Sequence, residues 1–251
     1  MTRLALETVD LCKQFGALKV TNSVELRLEA GARQALIGPN GAGKSTLINL
    51  LTGVVRPSRG RILLNGEHIQ GLPTEQRIAR GLGRTYQVNA LFPRLTALEA
   101  IMLAIARGSN LLGKPFQALK NCSDVTDQAF QLACSVGLGD CCLSLSGELP
   151  YGRQRLLEIA LALAGKPSVL LLDEPAAGVP AGESLELMEA IEALPDHVSI
   201  LFIEHDMDLV FRFAEKVTVL VAGSVLCEGT PDEIANDPEV RRVYLGTESD
   251  V

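Results

Sequence analysis

The stretch Gly38-Pro39-Asn40-Gly41-Ala42-Gly43-Lys44-Ser45-Thr46 constrains this chain more than any other. It satisfies Gly-x4-Gly-Lys-[Ser/Thr], the phosphate-binding loop pattern. An apolar run, Gln34 to Ile37, precedes it, and a run with helical character, Thr46 to Leu51, follows. Strand, glycine loop and helix together give the pattern a mechanism. The glycines let backbone N–H groups turn inward and meet an anion closely. The helix start adds the positive end of its dipole. Lys44 is then placed to reach the outer phosphates of a nucleotide, and the Ser45 hydroxyl to sit on Mg²⁺. A turn that binds nothing would have no use for every fixed position of the pattern.

The rest of the chain must build a sheet around that loop. It has 251 residues, 47% of them hydrophobic, with no Trp and few other aromatics, so aliphatic side chains make the core. Leu4–Val9 and Val24–Leu28 alternate as strands, Gln34–Ile37 reads as a buried strand, and Arg61–Leu64 leads into an Asn65-Gly66 turn. Further on, Val169–Leu172, Ala181–Ala193, Val198–Ile203, Met207–Ala214 and Val217–Val221 alternate strand with helix, which implies a parallel sheet with crossover helices. Thr96–Arg107, with Thr96 and Glu99 as a capping box, Val125–Val136 and Arg153–Ala164 read as helices. Thr230-Pro231-Asp232-Glu233 opens a helix, and Asp237-Pro238 opens another. Gly108–Ser123 is the least patterned segment and reads as an exposed loop. The expected architecture is α/β: a phosphate-loop core with a parallel sheet over 1–87 and 161–251, an antiparallel β subdomain at the N-terminus, and an inserted α-helical subdomain over 88–160.

Charge and cysteine usage narrow the function classes. The net charge of −7 argues against a broad nucleic-acid footprint. The six cysteines, Cys12, Cys122, Cys134, Cys141, Cys142 and Cys227, contain no Cys-x2-Cys pair and suggest reduced thiols rather than zinc or a disulfide framework. The first ten residues carry no long apolar run, so no signal peptide is expected. The apolar runs are strand-sized, far short of the roughly 20 residues of a membrane span.

A second motif stands at Val169-Leu170-Leu171-Leu172-Asp173-Glu174-Pro175. Acids at the carboxyl end of a parallel strand lie where such sheets bind ligands. Asp173 is expected to hold Mg²⁺ through water, and Glu174 to polarise the water that attacks the γ-phosphate. Alone, acids at a strand end are ordinary solvated groups; beside the phosphate loop they are not. His205 leaves the next strand on the same sheet edge and is placed to touch the γ-phosphate, whereas His68 and His197 lack that context.

With these motifs in this order, the chain resembles the nucleotide-binding subunit of an ABC transporter from about Leu6 to Gly246. The resemblance implies an ATPase and adds residues. Phe15 takes the place of the aromatic that stacks on adenine. Gln87, in Arg84-Thr85-Tyr86-Gln87, matches the glutamine that reaches Mg²⁺ and links the core to the helical subdomain. Glu174 matches the catalytic glutamate, and His205 the switch histidine, alongside Lys44. Spacing back from Asp173 selects Leu149-Pro150-Tyr151-Gly152-Arg153, not the nearby Leu145-Ser146-Gly147, as the signature that binds the γ-phosphate held by a second ATP-binding subunit. Pro150 and Arg153 stand where the family has Ser and Gln, and Ala177-Gly178-Val179-Pro180 lacks the family's usual Asp. Losing a hydroxyl that bonds a charged oxygen forfeits about 1.5–3 kcal/mol, so the site completed for the partner is expected to be the weaker one. Arg153 could return part of this through its charge.

Several segments resemble the branched-chain amino-acid importer branch: Gly83-Arg84-Thr85-Tyr86-Gln87, Leu91-Phe92-Pro93-Arg94-Leu95-Thr96, Tyr151-Gly152-Arg153-Gln154-Arg155, Asp173-Glu174-Pro175-Ala176-Ala177-Gly178, Glu204-His205-Asp206-Met207 and Tyr244-Leu245-Gly246. That branch implies ATP and Mg²⁺, a homo- or heterodimer of ATPase subunits at the cytoplasmic face of the inner membrane, two transmembrane permease subunits and an external binding protein. An ATPase for another solute (amide, urea or lipopolysaccharide), a soluble cassette ATPase and a catalytically silent scaffold are the alternatives.

Overall fold

The computed structural model describes residues 3–85, 91–108 and 123–245. Two sheets enclose the helix that follows the glycine loop. The first pairs β1 (Leu4–Phe15), β2 (Leu18–Glu29), β4 (Arg59–Leu64) and β5 (Glu67–His68), antiparallel, in the order β2-β1-β4-β5. The second runs β10-β9-β3-β8-β7-β6 and comprises β3 (Arg33–Ile37), β6 (Leu82–Arg84), β7 (Val169–Asp173), β8 (Ser199–Ile203), β9 (Lys216–Val221) and β10 (Ser224–Gly229). All its pairings are parallel except β9–β10.

β3, β7 and β8 are buried along their whole length, and residues 35–37, 169–172 and 200–203 within them are unbroken apolar runs. The two-residue period divides their side chains between two cores. Leu36, Leu171 and Leu201 face α1 (Lys44–Thr52) and the antiparallel sheet. Ile37, Leu172, Ile200 and Phe202 face the remaining helices. Each buried Leu or Ile contributes about 1.5–3 kcal/mol relative to exposure, so both faces of this sheet are fixed. α1 is gripped at its far end as well: buried Arg77 of α2 (Thr74–Ala79) donates to the carbonyls of Leu50 and Leu51 at 2.6 and 2.7 Å. A cation belongs at that negative end of the helix.

α3 (Ala97–Gly108), α4 (Ser123–Ser135) and α5 (Tyr151–Leu163) pack together, and α6 (Ala181–Glu192) and α7 (Met207–Phe213) cross over between the parallel strands. α8 (Pro231–Asn236) and α9 (Pro238–Leu245) close the described chain. Both expected capping boxes form, at Thr96/Glu99 and at Thr230/Glu233. The expected boundary at residue 160 falls inside α5. β1 and β2 run several residues longer than the alternation indicates, because Asp10 and Ser23 take positive φ at register shifts that break the pattern. α2, β6 and β10 carry too few periodic residues to be read from sequence. Most of the expected loop, 109–122, lies outside the described residues. Among the described residues, no helix is long and apolar enough to cross a membrane.

Candidate nucleotide site

Because β3, β6, β7 and β8 are parallel, their carboxyl ends converge on one sheet edge. They deliver the Gly38–Thr46 loop, Arg84, the Asp173–Glu174 pair and the Glu204–His205 pair. The loop's path depends on glycine. A Cβ on Gly38 would lie 2.1 Å from the Leu220 carbonyl oxygen, and one on Gly43, at φ +102°, 2.8 Å from that of Val20. Gly41, by contrast, faces open space, and Asn40 and Ser45 are exposed. The first N–H groups of α1 have no intrahelical acceptor. Gly43 caps α1 without a side chain, so those groups are aimed at whatever enters the loop. Of the other expected loop residues, Pro39 and Thr46 are half-buried and Ala42 is buried.

Lys44 is buried and donates from Nζ to the carbonyls of Gly38 at 2.6 Å and Pro39 at 3.2 Å. Burial lowers its ammonium pKa, against the pull of Glu174 and Asp173. A bound phosphate would oppose that burial penalty directly.

Asp173 is 4% exposed, and Arg84 donates from Nη2 to its Oδ2 at 3.0 Å. Burial raises the Asp173 pKa, and Arg84 works against that rise. Among the described residues, Asp173 Oδ1 has no hydrogen-bond partner. A buried carboxylate oxygen left in that state fits a metal-bound water, with the Ser45 hydroxyl across the loop as a second oxygen donor. Gln87, the third expected contributor, lies outside the described residues.

Glu174 adopts φ +51°, unusual for a residue with a side chain, and its N–H is held by the Ile203 carbonyl at 3.0 Å. Its Oε1 lies 2.5 Å from His205 Nε2. With the carboxylate ionised, the imidazole N–H donates. His205 is followed by Asp206, whose side chain caps α7 by accepting from the N–H groups of Asp208 and Leu209. Glu204, 5% exposed, accepts from Ala176 N–H at 2.8 Å and from His205 N–H at 3.2 Å. The sequence reading gave Arg84 and Glu204 no role of their own. Arg84 is separated from its partner by 89 positions and Glu204 from Ala176 by 28, and no local pattern signals either contact.

The family model described as "ABC transporter" matches residues 21–177, and that described as "Branched-chain amino acid ATP-binding cassette transporter" matches residues 224–250. The chain is 40% identical to the high-affinity branched-chain amino acid transport ATP-binding protein LivG of Escherichia coli K12, over 98% of this chain and 99% of LivG. It is 38% identical to BraF of Pseudomonas aeruginosa, of the same description, with the same coverage. An ATP-binding cassette of an ABC transporter, solved in its ADP conformation, superposes with a TM-score of 0.85 at 28% identity, over 98% of this chain and 100% of that one. The chain belongs to the ABC transporter ATP-binding cassette family.

The remaining residues expected of a cassette fall as follows. Phe15 is half exposed at the end of β1, with Lys13 Nζ over its ring, 4.7 Å from the centre. In the cassette's two signature candidates, Ser146 is fully buried and its hydroxyl donates to the Leu95 carbonyl at 2.9 Å, which leaves it facing inward. Leu149-Pro150-Tyr151-Gly152-Arg153 instead begins α5: Leu149 is buried, Pro150 is the exposed N-cap residue, and no side chain of its own caps the helix. Glu183 of α6 takes the Gly152 N–H at 3.1 Å. The Arg153 guanidinium is engaged by the Gly137 carbonyl and by Asp140, so its charge is turned within the chain.

Proposed function

We propose that this chain is the ATP-binding and hydrolysing subunit that powers an importer of branched-chain amino acids. It would sit on the cytoplasmic face of the inner membrane, paired with a second ATPase subunit and two transmembrane permease subunits, with an external binding protein delivering the solute. Residues 1–87 and 161–251 would form the nucleotide-binding core and 88–160 the helical subdomain that meets the permease. The observation that carries the reading is the Glu174–His205 pair, set on the same sheet edge as the Lys44 loop in a chain 40% identical to LivG along nearly its whole length.

In this reading the loop N–H groups and Lys44 neutralise the outer phosphates. Phe15 stacks on the adenine. Glu174 takes the proton of the attacking water. His205 donates to Glu174 and orients it until the γ-phosphate arrives, then turns its N–H to the phosphoryl oxygens. Mg²⁺, held by Ser45 and Asp173 with Gln87, would neutralise charge developing on the β- and γ-oxygens. Leu149–Arg153 would complete the nucleotide site of the partner subunit. Two such subunits close only while γ-phosphate contacts exist, and hydrolysis removes those contacts, so the pair reopens.

Uptake of radiolabelled leucine by cells that express this chain with its permease and binding-protein partners tests the proposal. Glu174→Gln should abolish uptake and cut ATP turnover at least a hundredfold, while nucleotide still binds. Unchanged ATPase would refute the assignment of Glu174; ATP-dependent uptake of a different solute, with none of leucine, would refute the substrate.

A further inference from the structure

Glu174 is held in an uncommon backbone conformation, and something must hold it there. Residues at positive φ persist where the surroundings over-determine them. On its amino side the restraint is the Ile203 carbonyl. On its carboxyl side the next residue is Pro175, which has no N–H, so Ala176 supplies the first backbone donor beyond Glu174. That donor meets Glu204 Oε1 at 2.8 Å. The other oxygen, Oε2, takes the N–H of His205 at 3.2 Å. One buried carboxylate therefore ties together the two chain segments whose side chains meet at Glu174 Oε1 and His205 Nε2.

We propose that Glu204 is a positioning residue for ATP hydrolysis, its carboxylate clamping the Glu174 and His205 segments at the separation their side chains require. The contacts close a ring: Glu174 to Ala176 along the chain, Ala176 to Glu204 by hydrogen bond, Glu204 to His205 along the chain, and His205 to Glu174 by hydrogen bond. An ionised carboxylate suits both donors best, since both of its oxygens are then acceptors only. Burial raises the Glu204 pKa, whereas the Ala176 and His205 N–H groups and the His205 ring work against that rise. The inference rests on the proposed role of Glu174 and His205 in turnover.

The test compares Glu204→Gln, Glu204→Asp and Glu204→Ala in the full-length chain, measuring ATPase kcat and KM and, separately, affinity for a fluorescent ATP analogue. A displacement of about 1 Å at reacting groups can cost a hundredfold in rate. Glu204→Ala should therefore lower kcat ten- to a hundredfold, with KM and nucleotide affinity within twofold of wild type. Glu204→Gln, nearly isosteric, keeps its carbonyl oxygen for one N–H and turns an NH₂ toward the other, so it should fall between Ala and wild type. Glu204→Asp, one methylene short of both donors, should resemble Ala. Wild-type kcat in both Glu204→Ala and Glu204→Gln overturns the proposal, as does a loss confined to KM. If Glu204→Ala does not fold, Glu204→Gln decides alone: a kcat within twofold of wild type overturns the clamp. Glu174→Gln measured alongside separates the two ideas. An active Glu174→Gln defeats the reading of the site, whereas an inactive Glu174→Gln beside a normal Glu204→Gln and Glu204→Ala defeats only the clamp.

Discussion

Asp173 shows how one buried charge is made tolerable. Its carboxylate is almost wholly removed from water, and Arg84 is the cation set against it. Arg84 is itself braced: its Nη1 donates to Asn49 Oδ1 at 2.8 Å and Thr52 Oγ1 at 3.4 Å, both on α1. The guanidinium thus joins the strand end that carries the acid to the helix that begins at the phosphate loop. Breaking a buried pair by deleting one partner costs about 3–5 kcal/mol, so Arg84→Ala should lose stability of that order in urea unfolding without nucleotide. Arg84→Ala/Asp173→Asn should regain most of it, a non-additivity expected of residues in contact. The pH dependence has a definite sign. Burial already raises the Asp173 pKa, and losing Arg84 raises it further. Between the ordinary carboxylate range and the raised folded value, the folded state binds more protons than the unfolded. Stability of Arg84→Ala should therefore fall as pH rises through that window and level off above it. An Arg84→Ala curve that matches wild type at every pH would show that the pair contributes nothing.

At the scale of elements, α5 is the helix whose start was least secure in the sequence. Pro150 occupies its N-cap with no side-chain hydrogen bond, and the helix begins at Tyr151, two residues before the periodic pattern places it. The missing cap comes from another element: Glu183 of α6 accepts the Gly152 N–H. Losing an N-cap acceptor typically costs about 0.5–2 kcal/mol, so Glu183→Ala should lower the free energy of unfolding in urea by about that amount, and Glu183→Gln by less. No change in Glu183→Ala would mean solvent caps α5 equally well. The same contact shows what sequence can and cannot carry. β3, its loop and α1 were legible because a five-residue buried strand and a fixed-spacing motif lie side by side. The paired acids and His205 were legible because strand ends are. Thr230 and Glu233 declare their own box within four positions. Glu183 with Gly152, Arg84 with Asp173 and Glu204 with Ala176 were not legible, because each contact exists only once distant strands and helices are placed. The second halves of β1 and β2 were hidden by bulges, and three-residue β6 by the glycine at its centre.

The whole molecule offers half an enclosure. The cradle is open at Asn40, Gly41 and Ser45 and the Phe15 ring is half exposed, so a nucleotide held there stays partly in water unless a second surface covers it. In the proposed head-to-tail pair, that surface would come from the start of the partner's α5, where this chain presents Pro150. A hydrogen bond to a charged oxygen is worth about 1.5–3 kcal/mol, or about ten- to a hundredfold in an equilibrium constant. Sedimentation of the Glu174→Gln chain with Mg²⁺ and ATP should accordingly reveal a weak dimer that ADP does not support. Adding Pro150→Ser should tighten it ten- to a hundredfold per site, or about a hundred- to ten-thousandfold in the dimer constant, because each of the two sites gains a hydroxyl aimed at the partner's γ-phosphate. A dimer constant unmoved by Pro150→Ser would place the start of α5 away from the nucleotide. One that is equal in ATP and ADP would break the link between the terminal phosphate and closure. If the serine does tighten the pair, the native proline weakens both sites of a homodimer, and pairing with a second, serine-bearing ATPase subunit would restore the contact at the site built on this chain's own phosphate loop.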